Sequence, residues 1–527
     1  MTWQQYKEEI KNKKTLPDDW YIIGIDLGTT NSVISYYNIQ TQEPEPIDVS
    51  MGFGKIPLPS VVQYRPENDE WLIGEEAFRT MKLYPTSTVR SVKSHMGSGN
   101  MVKVANDSYA PEEISAKVLT ELITQLYNLN PKAQIAGLVV SVPYDFDNAA
   151  KKATISAIEL AGLKDNLICL IEEPKAAVLS YSFTGDIDLN QKIMVFDFGG
   201  GTLDITIFNV EEKTNDNIFL KVISEGGALN HGGDIVDTTI VNHLYKKWEE
   251  KTNTSIDTIE VDNLLEIYQR AREAKERLSG VKSHRIPFTF AIPPFMEEIK
   301  REALEEMLSP FIEKTKKLVQ KTLAQSHIGA LNLEDIDMIL LEGGSSGMPW
   351  VKTMLKSMFN ENIIYSSKSP ALDISIGATY YAAIKMGLLN RPGMEIPIEI
   401  DVTLPHDIGL EIETKTGPTF FPIISRGTSY PLSRKSHSFT LSGETEEDMT
   451  TLSLKVVERM SKDDPISECK LIGDITVTGL PERPSGKTRL RLTLLANEEE
   501  MTIKGIVEDL GYGKEYTSSG FIEEFEF

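Results

Sequence analysis

Three glycine-rich segments carry residue types that bind phosphate. Ile22-Ile-Gly-Ile-Asp-Leu-Gly-Thr-Thr-Asn31 sets Asp26 just ahead of a turn made by Gly28, Thr29, Thr30 and Asn31. Met194-Val-Phe-Asp-Phe-Gly-Gly-Gly-Thr-Leu-Asp204 repeats the plan, with Asp197, then Gly199, Gly200, Gly201 and Thr202, then Asp204. Glycines let backbone N–H groups converge on an anion with no side chain in the way. The threonine hydroxyls add donors, and the aspartates supply hard oxygens of the kind magnesium accepts through its retained waters. Phosphate nests with adjacent carboxylates fit a magnesium nucleotide better than either feature alone. One such turn, taken singly, reads as an ordinary hairpin. The third segment shifts that balance. Met338-Ile-Leu-Leu-Glu-Gly-Gly-Ser-Ser-Gly-Met-Pro-Trp350 is an apolar strand, a loop containing Gly343, Gly344 and Ser345, and a helix start with Pro349 in its first turn.

The elements around these turns follow two grammars. Up to about residue 390, short apolar strands alternate with amphipathic helices, the pattern of an α/β fold. Helices are expected at 112–128, 147–161, 262–279, 297–325 and 349–359. The two strand–Asp–turn–strand units echo each other, which implies two related lobes with a cleft between them. Beyond about 395 the helical period gives way to alternation, as in Thr451-Leu-Ser-Leu-Lys-Val456 and Arg489-Leu-Arg-Leu-Thr-Leu494, which reads as an all-β module. Between them, the alternating Ile396-Pro-Ile-Glu-Ile-Asp-Val402 is either a strand added to a neighbouring sheet edge or the first strand of the β module. Residues 1–19 read as a short helical extension ending before Pro17.

Composition bounds the possibilities. The chain has 527 residues with 54 basic and 78 acidic side chains, a net charge of −24. A field of that sign repels nucleic-acid backbones and anionic lipid, so neither nucleic acid nor a membrane is expected as a partner. Two cysteines, Cys169 and Cys469, cannot build a disulfide framework, which points to reduced thiols in the cytoplasm. His231 stands without nearby metal-binding partners and reads as structural.

The segments together resemble the actin-like ATPase superfamily, and closely the heat shock protein 70 (DnaK-type) chaperones. The resemblance runs from about 21 to 520. It rests on Gly24-Ile-Asp-Leu-Gly-Thr-Thr-Asn-Ser32, Phe196-Asp-Phe-Gly-Gly-Gly-Thr-Leu-Asp204 and Glu342-Gly-Gly-Ser-Ser-Gly-Met-Pro349, supported by Ser141-Val-Pro143 and Glu172-Glu-Pro-Lys-Ala-Ala177. It implies an N-terminal extension (1–20), a two-lobed nucleotide-binding domain (21–390), a linker (391–402) and a β-sandwich peptide-binding domain (403–527) without a helical lid. It implies Mg²⁺-dependent hydrolysis of ATP to ADP, with Asp26, Asp197 and Asp204 holding the metal through water. Lys93, Glu173, Asp204 and Thr202 would be catalytic. Gly232, Gly233, Asp234, Lys275 and Ser279 would join the loops around the nucleotide. Pro143 and Lys151 would relay between domains, and Phe439, Leu452, Leu454 and Val456 would contact an extended apolar peptide. Unfolded polypeptides, a J-domain co-chaperone and a nucleotide-exchange factor are the implied partners.

Departures from the family pattern qualify this. Gly347 and Glu276 occupy the places of cations that stack on adenine, so base recognition is expected to be weak. Ala371 replaces an acidic residue, Lys151 an arginine, and Glu399 an apolar linker residue. The competing reading is a nucleotide-binding regulator or scaffold of the superfamily with little turnover. A metabolite kinase of the same fold would not need the β module.

Overall fold

The computed structural model describes residues 1–13, 16–49, 57–81, 83–185, 187–212, 218–229, 231–256, 259–367, 369–389, 398–399, 404, 406–414, 417–426, 428, 435–441, 450–460, 464–496 and 503–526.

Two sheets of the same plan form the α/β part. In the first, the strand order is Leu167–Glu172, Gln134–Val142, Trp20–Asp26, Asn31–Asn38 and Glu43–Pro46, with Leu58–Pro59 pairing Asn31–Asn38. In the second it is Ile364–Ser366, Met338–Glu342, Lys192–Phe198, Thr202–Glu212, Ile218–Leu229 and Ile398–Glu399. Each sheet centres on an antiparallel hairpin whose first strand also pairs in parallel with a later strand. The weak repeat in the sequence is therefore a structural repeat. The central strands are continuous apolar runs because helices cover both their faces. Helix Asp373–Lys385 crosses the first sheet at close range: a Cβ on Gly24 would collide with the backbone at Thr379, and one on Gly377 with Ala176.

Helices form where local signals agree. Pro111–Leu129 opens on a proline, and the Glu113 carboxylate accepts the Ala110 N–H at 2.7 Å. Asn148–Leu160 is capped by Asp147, whose side chain accepts the Ala150 N–H at 2.7 Å. Val261–Gly280 and Pro349–Lys356 complete the expected set. One expectation needs correction. The stretch expected as a helix over 297–325 begins as a strand, Phe295–Lys300, and only then forms Arg301–Met307 and Ser309–Ala324. Pairing with Ser283–Phe288, and stacking of Phe295 on Phe288 at 4.4 Å, override the helix propensity of its Glu and Lys residues.

The β part is a sandwich of two four-stranded sheets, ordered Gly417–Ile424, Asp407–Thr414, Thr451–Arg459, Lys470–Thr478 and Lys435–Leu441, Thr488–Ala496, Ile503–Asp509, Ile522–Glu526. Their inner faces bury Ile408, Val456, Ile475, Leu490, Leu492 and Val507. Most of the linker lies outside the described residues. Its strand Ile398–Glu399 pairs in parallel with Ile218–Phe219, so it extends the second α/β sheet and not the β module. At the other end, helix Trp3–Lys13 packs on the first lobe. Tyr6 and Ile10 are buried there, with Tyr6 edge-on to Trp20 at 4.6 Å. No helix among the described residues is long and apolar enough to cross a membrane.

Candidate functional site

The two hairpin turns face each other across the lobes. A Cβ on Gly200 would strike the Thr30 hydroxyl, and one on Gly232 would strike the Gly200 carbonyl, so glycine is needed for this approach. Between the turns lies a cavity of ≈ 310 Å³. Gly28, Thr29, Thr30 and Asn31 line it from one lobe, and Gly199, Gly200, Gly201, Thr202, Gly343 and Gly344 from the other. Asp26, Lys93, Glu173, Asp197 and Asp204 stand in its wall. The structure thus gathers the expected phosphate, metal and catalytic residues in one place.

The charges explain one another. Asp26 ends the strand Trp20–Asp26 and accepts the Ser141 hydroxyl at 2.8 Å. Asp197 and Asp204 are direct cross-strand partners. Like charges so placed destabilise a hairpin unless something offsets them. Burial, then Glu173, pushes the Asp26 carboxyl up to about 6. Burial, then Glu173 and Asp26, pushes Asp197 up to about 8. Asp204 is raised by burial, then by Asp145 and Asp197. Acids that resist ionisation beside glycine-lined phosphate seats suit a cation, and the donor set is all hard oxygen. No three acidic, histidine or cysteine side chains among the described residues form a group that could hold a metal ion directly. Lys93 comes from the turn Val92–His95 and forms an ion pair with Glu173, at the start of helix Glu173–Ser182. Burial alone would lower the Lys93 ammonium, but Glu173 and Asp26 outweigh it and hold it above its ordinary value.

A second, larger cleft of ≈ 820 Å³ adjoins this cavity and shares Asn31, Gly344, Pro370 and Ala371 with it. Helix Val261–Gly280 turns Gln269, Arg272, Glu273 and Glu276 to this cleft, and Gly347 lies across from them. Lys275 and Ser279 are engaged elsewhere: Lys275 donates to Asp237 at 2.6 Å, and the Ser279 hydroxyl to the Lys275 carbonyl. A Cβ on Gly233 would meet Ser345 and Lys275, which places Gly232, Gly233, Asp234, Ser345 and Lys275 together beside the loops. His231 is buried, bonded to Thr315 at 2.8 Å and stacked on Phe311, a structural role.

The segment from Pro143 to Ala150 lines this first cavity on one side and meets the β module on the other. Glu458 accepts the Asn148 N–H at 3.1 Å, at the positive end of helix Asn148–Leu160, and also bonds His406 at 2.8 Å. Lys470 bonds Asp147 at 2.5 Å, and Arg426 pairs with Glu225 at 3.2 Å. Lys151 is buried; desolvation lowers its ammonium, opposed by Glu172 and Glu458. Met460 and Lys470, both of the β module, reach the rim of the cavity. Of the expected peptide contacts, Leu452 and Val456 lie inside the sandwich core, while Phe439 and Leu454 are half-buried at its edge.

Sequence reading missed Asp145, which lies in the cavity wall and whose carboxyl burial raises. Its place two residues after Pro143, in a segment already singled out, was the available signal. Glu458 and Lys470 carried no such signal, because their partners Asn148 and Asp147 are 310 and 323 residues away across two modules, and His406 meets Glu458 52 residues further on, on no local period.

Two lobes closing on facing glycine turns, joined to a β-sandwich, define a two-lobed nucleotide-binding fold followed by a second module. The Hsp70 protein family model matches residues 22–508, and the chain belongs to the Hsp70 family. The chaperone protein DnaK of Ureaplasma parvum serovar 3 is 32% identical over 478 residues, covering 89% of this chain and 73% of that protein. The DnaK chaperones of Mycoplasmopsis synoviae (32% over 504 residues, 94% and 78%) and Thermosipho melanesiensis (30% over 513 residues, 94% and 79%) are similar along nearly all of it.

Proposed function

We propose that this protein is an ATP-dependent chaperone that grips extended apolar segments of unfolded polypeptides under the control of ATP hydrolysis. The observation that carries the reading is the cavity in which both glycine turns, three half-buried aspartates and the Lys93–Glu173 pair converge, with β-module residues at its rim.

In this reading the glycine turns and Thr29, Thr30 and Thr202 hold the phosphates. Asp26, Asp197 and Asp204 hold a magnesium ion through its waters, and that ion would neutralise charge on the transferred phosphoryl group. Lys93, fixed by Glu173, orients the attacking water; phosphoryl transfer needs positioning and charge stabilisation more than covalent chemistry. Pro143 and Lys151 relay the state of the cavity to Glu458. Phe439 and Leu454 face the peptide, with Leu452 and Val456 behind them. A J-domain co-chaperone and an exchange factor are the implied helpers, and the cytoplasm the implied compartment.

Steady-state ATPase measurements with and without an unfolded apolar peptide test this. Slow basal turnover that requires Mg²⁺ and rises with peptide is the expected result. ATP binding without turnover would favour the competing reading, a nucleotide-binding regulator.

A further inference from the structure

The weak base recognition expected from Gly347 and Glu276 overlooks a third side chain in the same cleft. Arg272 lines the cleft one helical turn before Glu276. Its guanidinium lies over the ring of Phe78 at 4.8 Å and faces the Glu276 carboxylate at 3.4 Å. Phe78 belongs to helix Glu75–Thr80 of the first lobe, and Arg272 to helix Val261–Gly280 of the second. The contact therefore spans the mouth between the lobes.

We propose that the Phe78-supported Arg272 guanidinium is the platform on which the base of a purine nucleoside triphosphate stacks. The inference rests on the nucleotide reading given above and names the residues that take the base. The cleft continues from the phosphate cavity through Asn31 and Gly344, so a ligand with its phosphates on the turns extends its base toward Arg272. A guanidinium is planar and weakly hydrated, and it stacks on π-systems. Left alone on a helix it would lose rotamer freedom on binding. Phe78 beneath it and Glu276 beside it have already restricted that freedom, which lowers the cost of stacking. Across the cleft, a Cβ on Gly347 would meet nothing within 4 Å, so the base has one plate and not two. Because the plate is assembled from both lobes, it is complete only when they are closed.

Isothermal titration of the full chain with MgATP, MgGTP and magnesium tripolyphosphate tests the proposal. Arg272→Ala should weaken both nucleotides about tenfold and leave tripolyphosphate unchanged. Arg272→Lys should fall between, since it keeps the charge and loses the plane. Phe78→Leu, which leaves Arg272 in place, should weaken nucleotides severalfold. Wild-type affinity for MgATP in Arg272→Ala and Phe78→Leu overturns the platform. An equal loss for tripolyphosphate overturns it too, because the residue would then act on the phosphates or the fold. Wild-type protein that binds neither nucleotide nor tripolyphosphate would instead overturn the nucleotide reading itself.

Discussion

Lys93 occupies a site where a lysine on its own would give up its proton. It is almost fully enclosed, and only the carboxylates around it keep its charge in place. In the proposed mechanism a cation so firmly held positions a water or a phosphoryl oxygen and does not grip a ligand by reaching for it. Lys93→Ala should therefore keep MgATP binding within a few-fold and lower turnover on the order of 10²-fold, as removal of a positioning charge does elsewhere. Single-turnover hydrolysis alongside nucleotide titration separates the two effects, and unchanged turnover would end the assignment. The aspartates give a second prediction. Asp26 and Asp197 hold protons in the folded protein that the unfolded chain releases near the ordinary value of 3.8. Their stabilising contribution is fully present below 3.8 and is lost as pH rises from there to about 6 for Asp26 and to about 8 for Asp197. With divalent cations chelated, thermal stability should fall across that window. Added Mg²⁺ should restore more of it at the alkaline end, where fewer protons compete for the same oxygens. A flat melting profile with chelator would show that these acids are already compensated within the protein.

At the level of elements, helix Asn148–Leu160 joins the cavity between the glycine turns to the β module. Its capping residue Asp147 lines the cavity, and its first N–H is taken by Glu458. Glu458 is 3% exposed and also faces His406, and it opposes the desolvation of Lys151. Its removal leaves buried donors without an acceptor, a loss of about 3–5 kcal/mol where the partners stay buried. Here the domains can part and rehydrate them, so Glu458→Ala should undock the β module without unfolding either domain. Lys470 pairs with Asp147 but is more than half exposed, so Lys470→Ala should cost under about 1 kcal/mol and leave docking intact. Fluorescence transfer between labels on the two domains reads both outcomes, and equal effects of the two substitutions would contradict this ranking. The turns, with their aspartates, and the long amphipathic helices were legible in the sequence because both signals are local. Helix Asp373–Lys385 was not, because it is buried nearly all round and so shows no amphipathic stripe. Phe295–Lys300 was misread because a short strand that contains the consecutive acids Glu297 and Glu298 resembles the start of a charged helix until its partner strand is known. Leu454 and Val456 share a face of one strand, yet no spacing rule tells which of them the second sheet covers.

On the scale of the whole molecule, two lobes of one plan carry three kinds of join: the shared phosphate cavity, the Phe78–Arg272 contact across its mouth, and the linker strand on the outer edge of the second sheet. The last of these could be posed but not decided from sequence, since an alternating segment fits any free sheet edge. In the structure Ile398–Glu399 takes the edge beside Ile218–Phe219. Along its other edge Ile218–Leu229 pairs with Thr202–Glu212, whose far end carries Thr202 and Asp204. The linker is thus two strands away from Asp204, at the opposite end of the ladder, and hydrogen bonds of the ladder connect them. A two-residue strand is weak by itself, so we expect this pairing and the docking of the β module to favour each other. Proline at 398 removes a backbone donor and resists a place in the ladder. Ile398→Pro should leave basal ATP hydrolysis near wild type and peptide affinity intact, but abolish the change in hydrolysis that peptide produces. Paired ATPase and peptide-anisotropy titrations would show this. If peptide still stimulates hydrolysis fully in Ile398→Pro, the domains communicate through Glu458 and helix Asn148–Leu160 alone, and the added strand is only a tether.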